Sequence, residues 1–162
     1  MSLRYLTLFR HASAVSTGQE SDFDRPLKKK GISKTIENTE LIASKGYYPD
    51  LVISSSALRA FQTAEVFSET IDPSFPAGEI LQFKQLYLPS VEEIYEVMRQ
   101  IDSVYTDVFL FSHNNGISFF AQDLCGRGGI MMPTGAAVRI EINAGGWDDI
   151  CPGCGELIDF LP

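Results

Sequence analysis

Long apolar runs are missing from this sequence: none approaches the ~20 residues that a membrane span needs, so no membrane association is expected. Positive charge is also short. Thirteen Lys and Arg face 21 Asp and Glu, a net charge of −8, whereas a general nucleic-acid binder needs a basic face. The one local basic cluster, Lys28-Lys29-Lys30, reads as a solvated helix start. Three cysteines, Cys125, Cys151 and Cys154, are too few for a disulfide framework and point to a reducing cytoplasm. The opening Met1-Ser2-Leu3-Arg4 runs directly into a strand-like segment and leaves no room for a signal peptide. Repeats, low-complexity tracts and linkers are absent, so residues 1–162 are expected to form one domain.

What is present alternates between two patterns. Tyr5 to Phe9 reads as a short buried strand, ending at Arg10-His11 and followed by a polar loop to about Asp24. Leu27 to Lys45 reads as a helix with Ile32, Ile36 and Leu41 near one face and Gly46 as its stop. Asp50 to Ser54 is a second strand. Ala57 to Thr70 is a helix with Phe61, Ala64 and Phe67 inward, Pro73 to Gly78 a turn region, and Leu81 to Tyr87 a short strand. Ser90, with Glu93 three residues on, caps a helix running to about Ile101. Asp107 to Phe111 is a third clear strand, followed by a helix to Leu124, and Ala136 to Ile142 and Glu156 to Leu161 read as closing strands. Strands alternating with helices predict an α/β fold with a mostly parallel central sheet flanked by helices on both faces.

In such sheets ligands bind beyond the carboxyl ends of the strands. That rule singles out Arg10 and His11 after the first strand, Arg59 at the opening of the helix after the second, and His113 after a later one. The only two histidines both fall on this rim. A neutral imidazole is a nucleophile near neutral pH, and two guanidinium forks bind phosphoryl oxygens without losing their charge. A second histidine, if protonated, adds a donor. The set reads as phosphoryl transfer through a covalent phosphohistidine on His11, with no metal or other cofactor required.

The residues carrying this chemistry also resemble a known family. Leu8-Phe9-Arg10-His11-Ala12 resembles the Arg-His-Gly signature of the histidine phosphatase superfamily, which has a phosphoglycerate-mutase-like fold. Ser54 to Ala64 looks like its Ser-x-x-x-Arg-Ala-x-Gln-Thr motif, and Ser112-His113-Asn114 its Gly-His-Asn motif. Asp22-x-Asp24-Arg25-Pro26-Leu27-x-x-x-Gly31, Leu86-Tyr87-Leu88 and Met132-Pro133-Thr134-Gly135 are similar to the SixA-type phosphohistidine phosphatases. Ala12 and Ser112 stand where the superfamily usually has Gly. The resemblance implies His11 as nucleophile and Arg10, Arg59 and His113 as phosphate ligands.

The candidates for a general acid are Asp22, Asp24 and Glu79. None sits in a recognised acid motif, and a weak acid apparatus suits a phosphoramidate, whose imidazole leaves far more readily than an alkoxide. Short connections point the same way, to a pocket open enough for a phosphohistidine on a protein surface. The alternatives are a phosphatase for small phosphate esters and a noncatalytic phosphate-binding module. Gln62 and Thr63 read as structural, and Asn114 as a helix cap. Cys151-Pro152-Gly153-Cys154 looks like half a zinc ribbon or a redox dithiol, although a tight turn between closing strands accounts for it better.

Overall fold

A computed structural model describes residues 3–16, 18, 20–73 and 79–162. Six strands, β1 (Arg4–Arg10), β2 (Leu51–Ser55), β3 (Leu81–Phe83), β4 (Asp107–Ser112), β5 (Ala137–Ile142) and β6 (Gly155–Leu161), form one sheet in the order β3-β2-β4-β1-β5-β6. The pairs β3–β2, β2–β4 and β4–β1 are parallel, while β5 and β6 close the sheet antiparallel. Four helices, α1 (Lys29–Ser44), α2 (Leu58–Ile71), α3 (Val91–Arg99) and α4 (Gly116–Cys125), complete the α/β fold. No helix among the described residues is long and apolar enough to cross a membrane.

Strand periodicity divides the core into two layers. Val108 and Leu110 of β4, with Leu6 and Leu8 of β1, turn toward α3 and α4, where Ile94, Met98, Phe120 and Leu124 meet them. Phe109, Phe111 and Phe9 point to the other face, against Phe67 and Ala64 of α2 and Ile42 of α1. Phe67 stacks on Phe109 at 4.8 Å between ring centroids, and Phe9 on Phe111 at the same separation. Two successive residues of one strand thus serve opposite layers, as the pleat requires.

The capping box on α3 is present in full, with Ser90 Oγ accepting from Glu93 N–H and the Glu93 side chain accepting from Ser90 N–H. The expected strand at Leu81 to Tyr87 is shorter, giving way to a 3₁₀ turn at Lys84–Leu86. The turn region expected at Pro73 to Gly78 lies outside the described residues from position 74 onward.

The face of α1 differs from expectation. Ile32, Ile36 and Leu41 are 38%, 36% and 44% exposed, and the buried positions are Gly31, Thr35, Asn38, Thr39 and Ile42. Close backbone approach selects this face: a Cβ at Gly31 would stand 2.4 Å from Ser13 O. The inward polar groups bond locally, Thr35 to Gly31 O and Thr39 to Thr35 O, while Asn38 donates to Gly135 O at 2.7 Å. Their burial therefore leaves no orphan hydroxyl. Of the expected inward residues of α2, Ala64 and Phe67 are fully buried and Phe61 is half-buried.

Candidate active site

The parallel β1–β4 register pairs Arg10 with Ser112, so the residues that follow, His11 and His113, leave the sheet side by side. Their ring centroids are 5.1 Å apart. β2 ends at Ser55, and the first turn of α2 delivers Arg59 to the same rim. Arg10, His11, Arg59 and His113 thus converge at the carboxyl ends of parallel strands. His11, Arg59 and His113 are 9%, 3% and 1% exposed.

His11 is fixed in one tautomer. Its Nδ1 lies 2.8 Å from Ala12 O, an oxygen that can only accept, so Nδ1 carries the proton and Nε2 presents a lone pair. Arg59 Nε donates to that Nε2 at 3.3 Å. Burial pushes the His11 pKa down to about 4, with Arg59, Arg10 and Arg25 adding to the fall and the bond to Ala12 O opposing it. The ring is neutral at physiological pH.

His113 is held through Nε2, 2.8 Å from Ser55 Oγ, and its buried Nδ1 has no partner among the described residues. Burial, then the neighbouring His11 and Arg59, lowers its pKa to about 2. The ring is therefore neutral near neutral pH, not in the protonated form considered from sequence. Arg10 Nη1 donates to Met132 O at 2.8 Å, and its buried Nε has no partner among the described residues.

The three candidate acids part company. Asp22 reaches the site and is saturated with donors: Arg25 Nε and Nη2 on Oδ1 at 3.0 and 2.9 Å, Tyr87 Oη and Arg59 Nη2 on Oδ2 at 2.6 and 3.1 Å. The Tyr87 hydroxyl foremost, then Arg25 and Arg59, holds its carboxyl far below the usual carboxylate range. A carboxylate so held has no proton to donate near neutral pH. Asp24 is exposed and accepts from Ser21 Oγ at 2.9 Å. Glu79 precedes β3 and shares a cleft with Asp50, Leu51 and Tyr105, at the amino end of the parallel strands and so opposite the rim.

The fold has known counterparts. A protein from Agrobacterium tumefaciens assigned as a phosphohistidine phosphatase SixA superposes with a TM-score of 0.81 at 24% identity, over 98% of this chain and 97% of its own. A second assigned SixA, from Nakamurella multipartitia, gives a TM-score of 0.85 at 21% identity, over 100% and 97% of the two chains. The protein histidine phosphatase SixA in complex with tungstate gives 0.81 at 19% identity, over 97% and 96%. This chain has the fold of the SixA structures. No family model matches the sequence. In sequence, an uncharacterized chloroplastic protein of Arabidopsis thaliana is 26% identical over 159 residues, covering 90% of this chain and 70% of the relative.

Against the SixA pattern, the two departures from Gly are harmless to the backbone. Among the described residues other than glycine, only Leu88 has a positive φ, so Ala12 and Ser112 occupy torsions open to any L-residue. Ala12 N–H donates to Thr63 Oγ1 at 3.0 Å, and Thr63 Oγ1 donates to Arg59 O at 2.7 Å. Gln62 Oε1 accepts from Leu27 N–H at 2.9 Å. Both side chains thus position the site rather than enter it. Asn114 Oδ1 accepts from Ser118 Oγ, which accepts in turn from Met132 N–H, tying the start of α4 to the residue whose carbonyl holds Arg10. Asn114 is therefore joined to the helix by its side chain, although Asn115 stands at the backbone cap position.

Tyr87, Ser55 and Arg25 are the partners that sequence reasoning did not assign. Tyr87 bonds Asp22 and sets its ring edge-on to His113 at 5.5 Å. All three fall in segments that carry the family resemblance, and the Asp-x-x-Arg spacing of Asp22 and Arg25 is also the reach of an i, i+3 ion pair. The cysteine motif lies elsewhere. Cys151 to Cys154 forms a tight turn leading into β6, closed by Cys154 N–H to Cys151 O at 3.2 Å, with free thiols. No group of three or more His, Cys, Asp or Glu among the described residues could hold a metal ion.

Proposed function

We propose that this protein is a phosphatase that takes a phosphoryl group onto His11 Nε2, and that its substrate is a phosphohistidine on another protein. The observation that carries this reading is the His11 tautomer: Nδ1 is committed to Ala12 O, and Nε2 keeps its lone pair beside Arg59 Nε, with the second histidine's ring 5.1 Å away. Tungstate, a tetrahedral oxyanion like phosphate, is bound by a SixA relative of the same fold.

The residues divide the work as follows. The Nε2 lone pair attacks phosphorus as the bond from phosphorus to the leaving nitrogen breaks. Arg10 and Arg59 supply fixed guanidinium donors to the phosphoryl oxygens, which stabilises the charge of the transition state. His113 adds a neutral donor at Nδ1 when the Ser55 hydroxyl donates to its Nε2. In the second step water attacks phosphorus, the P–Nε2 bond breaks, and phosphate leaves with His11 restored. None of the candidate acids is poised to protonate an alkoxide, so the leaving group must depart with little help. An imidazole does so and an ordinary alkoxide does not.

The test is phosphate release from a histidine-phosphorylated protein by the wild-type chain and by His11→Ala. Release confined to the wild type supports the reading. Release by the variant, or by neither protein, removes it.

A further inference from the structure

Asp22 presents a problem for a phosphate site, because it places a permanent negative charge beside the guanidinium that must receive an anion. If its role were to donate a proton, it would need a raised pKa and few donors. It has four donors and a single geometry. If it were a displaceable plug, its loss of Arg59 would free it, yet Arg25 and Tyr87 would still hold three of the four bonds. The carboxylate therefore stays, charged, while substrate is bound.

Its position follows from the Arg59 guanidinium, which spans the two groups. The Nε end meets His11 Nε2 at 3.3 Å, and the Nη2 end meets Asp22 Oδ2 at 3.1 Å. The Arg59 side chain is 3% exposed and that of Asp22 is 38% exposed, so Asp22 lies on the solvent side of the nucleophile. An in-line displacement puts the leaving group on the far side of phosphorus from His11 Nε2, which is the same side. Tyr87, edge-on to His113, walls this mouth and fixes the carboxylate in it.

We infer that Asp22 is a specificity-determining residue whose fixed carboxylate selects phosphoryl donors with a cationic bridging nitrogen, the imidazolium of phosphohistidine among them, over phosphate esters, whose leaving oxygen turns negative. This inference rests on the phosphatase reading above. The carboxylate attracts the positively charged nitrogen of the bound donor, which takes the P–N electron pair and departs neutral, and it repels the negative charge that develops on an ester oxygen as the P–O bond breaks. Discrimination comes from charge, with no proton supplied by Asp22.

Two small substrates separate this role from protein docking: phosphoramidate, whose leaving nitrogen is cationic, and p-nitrophenyl phosphate. In Asp22→Asn, kcat/KM for phosphoramidate falls about tenfold, the scale of one charge contact at a half-exposed site. For the ester it rises, so the ratio of the two inverts or collapses. Asp22→Glu, which keeps the charge, retains more of the wild-type ratio than Asn does. If Asp22→Asn lowers both substrates equally, Asp22 merely orients Arg59 and the inference is wrong. If the wild type turns over neither substrate nor a phosphohistidine protein, the phosphatase reading itself fails, which is a different result.

Discussion

His11 and His113 stand 5.1 Å apart because Arg10 and Ser112, the residues before them, are register partners across the parallel β1–β4 pair. Neither loop has to search for the other. The sheet fixes both at its carboxyl edge, and the hydrogen bonds to Ala12 O and Ser55 Oγ then set the ring orientations. A site built on strand ends in this way is rigid before substrate arrives, the condition for electrostatic stabilisation without reorganisation.

Removing one guanidinium should show this directly. Arg59→Ala is expected to lower kcat by about 10²–10³-fold, the range for losing a fixed donor to transition-state charge. The chain should still fold, since Asp22 keeps Arg25 and Tyr87 as partners. Steady-state kinetics with circular dichroism of the variant checks both halves.

Thr63 tests the support of the site. Thr63→Val deprives the buried Ala12 N–H of its acceptor, Thr63 Oγ1, which costs about 1–3 kcal/mol in stability. Because Ala12 O anchors His11 Nδ1, activity should fall alongside. Thr63→Ser, which keeps the hydroxyl, should recover most of both in chemical denaturation and turnover assays.

The two buried histidines make a pH prediction with a definite sign. Both rings titrate near 6.5 in the unfolded chain, whereas burial moves them to about 4 and about 2 in the folded one. Below pH 6.5 the unfolded chain binds protons that the folded chain does not. The stability these rings contribute is thus complete above that pH and is lost as pH falls toward the folded values. The loss is at most about 1.4 kcal/mol per pH unit for each ring. Melting temperature should fall between pH 6.5 and 4, and less steeply in His113→Gln. In kcat/KM, the acid limb belonging to His11 should lie near pH 4 rather than 6.5.

Packing behind the rim is equally exposed to test. A Cβ at Gly116 would stand 2.1 Å from Pro89 O, so the first turn of α4 lies directly on the segment that follows Tyr87. Gly116→Ala should destabilise the protein by about 1–3 kcal/mol, as overpacking of a close contact does. A thermal melt with no shift would contradict this contact.

Much of the site could be read from residue order. Arg10 ends a strand, and His11, Arg59 and His113 each follow one by a few residues; the carboxyl-end rule brings such positions together without knowledge of the strand order. The acid candidates could not be sorted this way. Asp22 differs from Asp24 through Arg25 and, above all, through Tyr87 and Arg59, which are distant in sequence, and Glu79 sits at the wrong end of the sheet because it precedes β3, which runs parallel to β2. The face of α1 misled for a related reason. Its isoleucines mark a helical stripe, but the decisive constraint is the contact of Gly31 with Ser13, a fact of packing that hydrophobic spacing does not encode.

The central claim is that His11 becomes phosphorylated, and a rapid alkaline quench during turnover of a phosphohistidine substrate tests it most directly. Mass spectrometry of the quenched protein should place one acid-labile phosphoryl group on His11, at Nε2, and none in His11→Ala. Turnover without any such adduct, or an adduct on another residue, would contradict the account.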